Sequence, residues 1–182
     1  VDSLACARFA IVERPPATPA TPAEFALLRD LAGALAGQRK QTTRSVNRLH
    51  NHLARVFPEL AVEASNLAAD WVLTLLDRYP SPERIAAARS DSIAKLPHVG
   101  AERAEQLQTA ARGSTGSLRG PLAEALVRQL VDEVRRSQKA ERKLFELLEQ
   151  AYDALPDGGH RQLETIVGIG KRTAAALVAK IV

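Results

Sequence analysis

At 182 residues the chain is long enough for one medium domain or two small ones, and its single cysteine, Cys6, excludes an internal disulfide and a cysteine-rich zinc site. Hydrophobic residues make up 46 % but aromatics only 4 %, with no Met, so Ala and Leu carry the apolar surface and an all-α fold is expected. The net charge of +4 suits a polyanionic partner without requiring one.

No run is apolar enough to span a membrane and no signal-peptide pattern opens the chain, so an intracellular, cytoplasmic protein without membrane partners is expected. The first residue is not Met, and Ala179-Lys180-Ile181-Val182 ends in mid-helix by pattern, as a piece of something longer would. The four histidines are scattered, and His50 and His52 fall on different faces of a helix, which argues against a metal site there.

In chain order, residues 1–13 read as a short helix with Leu4, Phe9, Ala10 and Val12 as its apolar members. Residues 14–22 hold four prolines and read as an extended linker. A long helix is predicted over 23–57, with Thr21 as N-cap and Pro22 in the first turn. Its residues Leu28, Leu31, Leu35, Gln38, Thr42, Ser45, Leu49, His52 and Val56 alternate by three and four, a heptad seam with a polar middle.

Residues 58–118 read as a helical subdomain. Within it lie a helix over 66–78 with Leu67, Trp71, Leu75 and Leu76 on one side, and a short helix Pro82–Ala88 capped by Ser81. A second short helix, capped by Ser90 or Asp91, leads into a turn at Leu96-Pro97-His98-Val99-Gly100, followed by a helix to Ala111 and a flexible loop from Arg112 to Ser117. A second long helix is predicted over 119–156, with the seam Val127, Leu130, Val134, Ser137, Glu141, Leu144, Leu148, Ala151 and Leu155. Two such helices suggest an antiparallel coiled coil, formed within the chain or between two chains. Residues 157–182 begin a further helix–turn–helix, in which Ile166 and Ile169 should pin the turn to the core.

Two glycine-hinged corners therefore rank first as functional candidates. Each reads as a helix-hairpin-helix motif, in which a tight turn lets backbone amides at a helix start approach a phosphate. The second, Leu163 to Leu177, has Gly168 and Gly170 at the turn, Lys171, Arg172 and Thr173 opening the helix, and Ala174 where two helices cross closely. The first keeps Gly100, Ala104 and Leu107 but has His98 in place of the leading glycine. The alternative is that either is only a tight helix–helix corner.

Two basic runs rank next. Arg39, Lys40, Arg44 and Arg48 lie on the first long helix, and Arg135, Arg136, Lys139, Arg142 and Lys143 on the second. Like charges four apart destabilise an isolated helix, so an anionic partner such as DNA or RNA is one explanation. Pairing with Glu133, Glu141, Glu146 and Glu149 is the other. Near the start, Asp2-Ser3-Leu4-Ala5 looks like an Asp-x-x-Asp pattern whose second carboxylate is replaced by Ala5. Asp2 is thus a remnant candidate for catalysis or for a metal ion.

Taken in order, the Asp2 segment, the proline linker, the basic stretch Asn47-Arg48-Leu49 with Phe57-Pro58-Glu59-Leu60, and Leu163-Glu164-Thr165-Ile166-Val167-Gly168-Ile169-Gly170 resemble one family. These are insertion-sequence transposases (recombinases) that join a RuvC-like DEDD domain to a carboxy-terminal transposase domain with a catalytic serine, and that work with a bridge RNA. The resemblance covers the family's middle portion. It implies a RuvC-like remnant over 1–13, Mg in an intact DEDD site of the parent protein, no cofactor held by this chain, and a homodimer or higher oligomer. It also implies a fragment that binds guide RNA or DNA while the chemistry lies elsewhere. Two alternatives stay open, a helix-hairpin-helix DNA-repair domain and a purely structural coiled-coil oligomerisation module.

Overall fold

A computed structural model describes residues 3–14 and 22–181. Among them every regular element is a helix. The α-helices are α1 (Ser3–Glu13), α2 (Ala23–Val56), α3 (Leu60–Glu63), α4 (Asp70–Arg78), α5 (Pro82–Ala87), α6 (Ser90–Ala94), α7 (Gly100–Arg112), α8 (Pro121–Asp153) and α9 (Lys171–Ile181). A 3-10 helix, Gly159–Thr165, precedes α9. The expected cap Thr21 and the acidic candidate Asp2 lie outside the described residues.

The two long helices pack against each other antiparallel and within one chain. Gln38 meets Ser137, Ser45 meets Glu133 and Arg39 meets Glu141, so positions rise along α2 as they fall along α8. At about 1.5 Å per residue each spans roughly 50 Å, and the heptad leucines explain why they stay together. Leu28, Leu35, Leu49 and Val56 of α2 and Val127, Leu130, Val134 and Leu148 of α8 are buried along the shared face.

The polar middle of the seam divides the apolar interior into two cores. One surrounds the second half of α2 and the first half of α8, closed by Phe57 at the end of α2 and by α3 to α7 through Leu60, Leu73, Ile85, Ile93 and Leu107. The other lies at the opposite end, where Leu28, Leu35, Leu148 and Tyr152 meet Ala174, Ala175 and Val178 of α9. Between them Gln38 Nε2 donates to the Ser137 carbonyl at 3.2 Å, and the buried Ser45 hydroxyl donates to Glu133 at 3.2 Å. Placing these few polar groups opposite each other satisfies them, and any slip in register would bury them against leucine.

Several local expectations need correction. The helix expected over 66–78 starts only at Asp70, because Asn66 turns the chain by accepting from the Ala68 amide at 2.9 Å. Neither Ser90 nor Asp91 caps α6; Arg89 occupies that position with no side-chain bond. Ser81 does cap α5, accepting from the Arg84 amide at 3.4 Å.

The loop after α7 is not loose. Glu59 accepts from the Ser114 hydroxyl at 2.7 Å, the Thr115 amide at 2.8 Å and the Thr115 hydroxyl at 2.9 Å. The Ser117 and Leu118 amides then donate to the Arg55 carbonyl at 2.8 and 2.9 Å, closing the end of α2. Partial burial raises the Glu59 pKa, but hydrogen bonds from Thr115 and Ser114 outweigh it and hold it at about 2, against an ordinary 4.5. A lowered folded-state pKa stabilises fully above the unfolded value and is lost as pH falls through the folded one. Glu59→Gln is therefore expected to lower the melting temperature near neutral pH and to have almost no effect near pH 2. Thermal melts of both proteins across acid pH measure this.

A second buried polar group ties the small helices together. Gln108 of α7 donates through Nε2 to the carbonyls of Ala88 at 2.7 Å and Ile85 at 3.3 Å, occupying acceptors at the end of α5. Gln108→Leu strands the Ala88 carbonyl in an apolar setting, since Ile85 keeps its bond from the Ala88 amide, and is expected to cost about 1–3 kcal/mol, read as a lower denaturant midpoint.

Candidate nucleic-acid interface

The first hairpin is built by α6 and α7, with Leu96 and Val99 buried beneath the turn and Ala104 and Leu107 fully buried in α7. His98 adopts φ +61° and Gly100 φ +69°. The histidine thus takes the left-handed conformation that glycine adopts more readily, and the turn forms despite the substitution in the motif. Among the described residues, the Gly100, Ala101 and Glu102 amides find no acceptor, which leaves the start of α7 open. Arg103 steadies the corner, its guanidinium 5.0 Å above the Trp71 ring and within 3.4 Å of the His98 carbonyl.

The corner expected between the helix over 66–78 and the short Ser81-capped helix precedes it. Helices α4 and α5 meet at Tyr79-Pro80-Ser81, where Ser81 and Arg84 both donate to Glu124 of α8, at 2.9 and 3.1 Å. The two prolines marked a break. Only the Ser81 cap signalled that a second helix followed at once.

The second hairpin differs from expectation on its entry side. A 3-10 helix, rather than an α-helix, leads in from Gly158-Gly159, and Ile166 is 51 % exposed instead of pinned inside. Val167 at the tip is fully exposed, while Ile169 packs against the core around Tyr152. The tighter 3-10 winding and the two glycines set the register that turns Ile166 outward. Gly168 adopts φ +90°, and both Gly168 and Gly170 are exposed. The amides of Gly168, Gly170, Lys171 and Arg172 have no acceptor among the described residues, so this helix start is open too. Thr173 is exposed one position further on.

On charge the structure shows part of the pairing that was one of the two explanations for the basic runs. The basic runs do not stand wholly unopposed. Arg39 pairs with Glu141 at 3.5 Å, Arg48 with Glu133 at 2.6 Å, Arg135 with Asp77 at 3.1 Å, Arg172 with Glu149 at 2.8 Å, and Lys171 with Asp153. The antiparallel pairing of α2 with α8 brings Glu133 and Glu141 across from the first run, and the docking of α9 brings Glu149 and Asp153 to the second hairpin. Among the described residues, Lys40 and Arg44 on α2 and Arg136, Lys139, Arg142 and Lys143 on α8 have no carboxylate within ion-pair distance. Of these cations Arg39, Arg48 and Arg172 remain more than half exposed, and such surface pairs contribute only about 0–1 kcal/mol each. Pairing of that strength does not keep a polyanion from competing.

The structure brings one subset of the candidates together. Arg135, Lys139 and Arg142 of α8 and Arg172 of α9 line a groove of about 690 Å³, with Asp70 and Glu141 also on its walls. The Phe145 ring in this groove carries the guanidiniums of Arg39 and Arg172 at 4.5 and 5.1 Å. Lys40, Arg44 and the first hairpin are not part of it. Along α1 no residue is buried, and Ala5 supplies no ligand atom. No group of three His, Cys, Asp or Glu able to hold a metal ion occurs among the described residues, and no helix is long and apolar enough to cross a membrane.

Comparison with known proteins bears on the first hairpin. Residues 72–112, from α4 through α7, match the SAM-like helix-hairpin-helix tandem family. The tandem thus takes in the α4–α5 corner as well as the α6–α7 hairpin. Over 66 residues the chain is 38 % identical to a protein of Sinorhizobium fredii (strain NBRC 101917 / NGR234) named as a proposed transposase, y4uE. That match spans 36 % of this chain and 18 % of the relative's length. An all-α chain carrying a helix-hairpin-helix tandem and sharing a segment with a transposase-like protein is what these comparisons establish.

Proposed function

We propose that this chain is the nucleic-acid-binding part of a transposase-related protein, in which the DNA chemistry is carried out by residues outside it. The observation that carries the reading is the helix-hairpin-helix tandem, whose α7 start is open, with the Gly100, Ala101 and Glu102 amides unengaged. Free amides at a helix start, with the positive end of the helix dipole behind them, bind phosphate. Phosphate contacts of this kind hold DNA or RNA without reading sequence.

The finer reading follows from the order of motifs. In it the parent protein is a DEDD and serine transposase guided by a bridge RNA, acting in the cytoplasm of a bacterial or archaeal cell, with Asp2 belonging to a Mg-binding site completed by an upstream domain. The α2–α8 pair serves as a coiled-coil arm for dimers or higher oligomers. Gel-shift titration of the chain with a structured RNA and with a branched DNA tests this. Binding to either, weakening as salt rises, supports it, and no binding to both at low salt removes it.

One observation favours a second reading. Arg39, Arg48 and Arg172 are all met by carboxylates of α8, as a purely structural helical module would have them. Sedimentation with and without nucleic acid separates the two, since a structural module forms the same species either way.

A further inference from the structure

The groove between α8 and α9 lies outside the residues of the matched tandem, and it has a chemistry of its own. Along α8, Arg135, Lys139 and Arg142 project into it from positions four and three residues apart, roughly 6 and 5 Å of helix rise. Lys139 and Arg142 also border an adjoining hollow of about 430 Å³, where Lys143 extends the row and Glu146 is its one carboxylate. Arg172, at the start of α9, closes the other end beside the unengaged amides of Gly170 and Lys171. The row is therefore continuous from the middle of α8 to the second hairpin.

We infer that this groove is a track for the phosphodiester backbone of one nucleic-acid strand, held by charge with its bases turned outward. The inference rests on the nucleic-acid reading above and adds a second contact surface to it. Three features favour backbone over base. The cation spacing is near that of successive phosphates along one strand. The groove's aromatic ring, Phe145, is already covered by Arg39 and Arg172, which leaves no free stacking platform. The other aromatics near the α4 corner are similarly occupied, Trp71 by Arg103 and Tyr79 by Arg78. Lys139, Arg142 and Lys143 make no ion pair among the described residues, so they are available to phosphate at no cost in broken contacts.

The walls also carry a test of position. Asp70, exposed at the start of α4, faces into the groove, and its charge opposes a strand seated there but not one lying on the outer face of α8.

The experiment uses fluorescence anisotropy with a labelled oligothymidylate, a mixed-sequence single strand and the matching duplex, across a salt series. The proteins are the chain itself, a Lys139→Ala/Arg142→Ala/Lys143→Ala variant, and Asp70→Asn. Melting curves of the triple variant should match the parent, because none of the three side chains is buried or ion-paired. Removing three contacts should lower the slope of log affinity against log salt by about 2, at roughly 0.7 per phosphate on a single strand. Affinity at low salt should fall at least about tenfold. The two single strands should bind alike and both more tightly than the duplex, and Asp70→Asn should tighten binding several-fold.

If the parent binds and the triple variant binds equally well with the same slope, the groove is not the track, while the nucleic-acid reading stands. Unchanged affinity of Asp70→Asn, a preference for duplex, or a strong preference between the two single strands each overturns the seated-backbone arrangement in the same way. Failure of the parent to bind any of these probes removes the groove proposal, while the nucleic-acid reading is decided by the titration with structured RNA and branched DNA.

Discussion

Gly116→Ala is expected to lower stability by about 2–4 kcal/mol, an overpacking cost at a site that has little room to relax. A Cβ at this position would stand 2.0 Å from the Val56 carbonyl oxygen and 2.7 Å from its carbon. Both obstacles are backbone at the end of α2, so neither can swing aside as a long side chain would. Relief requires moving the loop away, which withdraws the Ser117 and Leu118 amides from the Arg55 carbonyl and disturbs the Glu59 bonds to Ser114 and Thr115. For a chain of this length the melting temperature should drop by roughly 2–4 °C for each kcal/mol lost. Calorimetry of the variant measures it, and a melt within a degree or so of the parent would show that the loop does not seat as described.

Tyr152→Ala should cost about 3–5 kcal/mol, the usual range for deleting a buried aromatic side chain. Tyr152 is fully buried where α8 meets α9, and its hydroxyl donates to the His160 carbonyl at 3.2 Å. Its ring also meets the His160 ring edge-on at 5.5 Å. The loss should be uneven, because the Gln38–Ser137 and Ser45–Glu133 seam separates this core from the one around Leu53 and Leu73. Amide hydrogen exchange should therefore quicken in the 3-10 helix and α9 well before α4 to α7 respond. Uniform loss of protection across both cores would show that the polar seam does not divide them.

These two sites illustrate how far the sequence could be read. The long helices were legible because their leucines recur by three and four over eight or more turns, a pattern that local breaks do not obscure. The polar middle was legible for the same reason, since Gln38, Thr42 and Ser45 interrupt an otherwise apolar stripe. Gly116 was not. Its importance comes from a backbone approach to Val56 across sixty positions of sequence, and a Gly in a Ser/Thr/Gly loop reads only as flexibility. Gln108 was equally silent, because a glutamine in a helix looks solvated until the carbonyls of Ile85 and Ala88 are placed beside it.

The candidate interface was read in part. The glycine corners were found where the chain turns, and the positive φ values at Gly100 and Gly168 account for the residue types there. Glu133, Glu141 and Glu149 could be named from the sequence as partners for the basic runs, but not which cation each meets. Arg39 and Arg48 meet carboxylates because of the antiparallel register, and Arg172 reaches Phe145 because α9 folds back onto α8. Each depends on tertiary placement. The surviving unpaired set among the described residues, Lys40 and Arg44 on α2 with Arg136, Lys139, Arg142 and Lys143 on α8, is consequently smaller than the basic runs suggested.

In the proposed reading this chain engages nucleic acid through phosphate contacts at the open start of α7 and along the unpaired cations of α8. Its most direct test is the equilibrium affinity of the unmodified chain for a structured RNA and a branched DNA over a series of salt concentrations. Measurable binding at low salt is expected, with a linear fall of log affinity against log salt whose slope corresponds to several phosphate contacts. Affinity that does not change with salt, or no association with either nucleic acid at low salt, would contradict it.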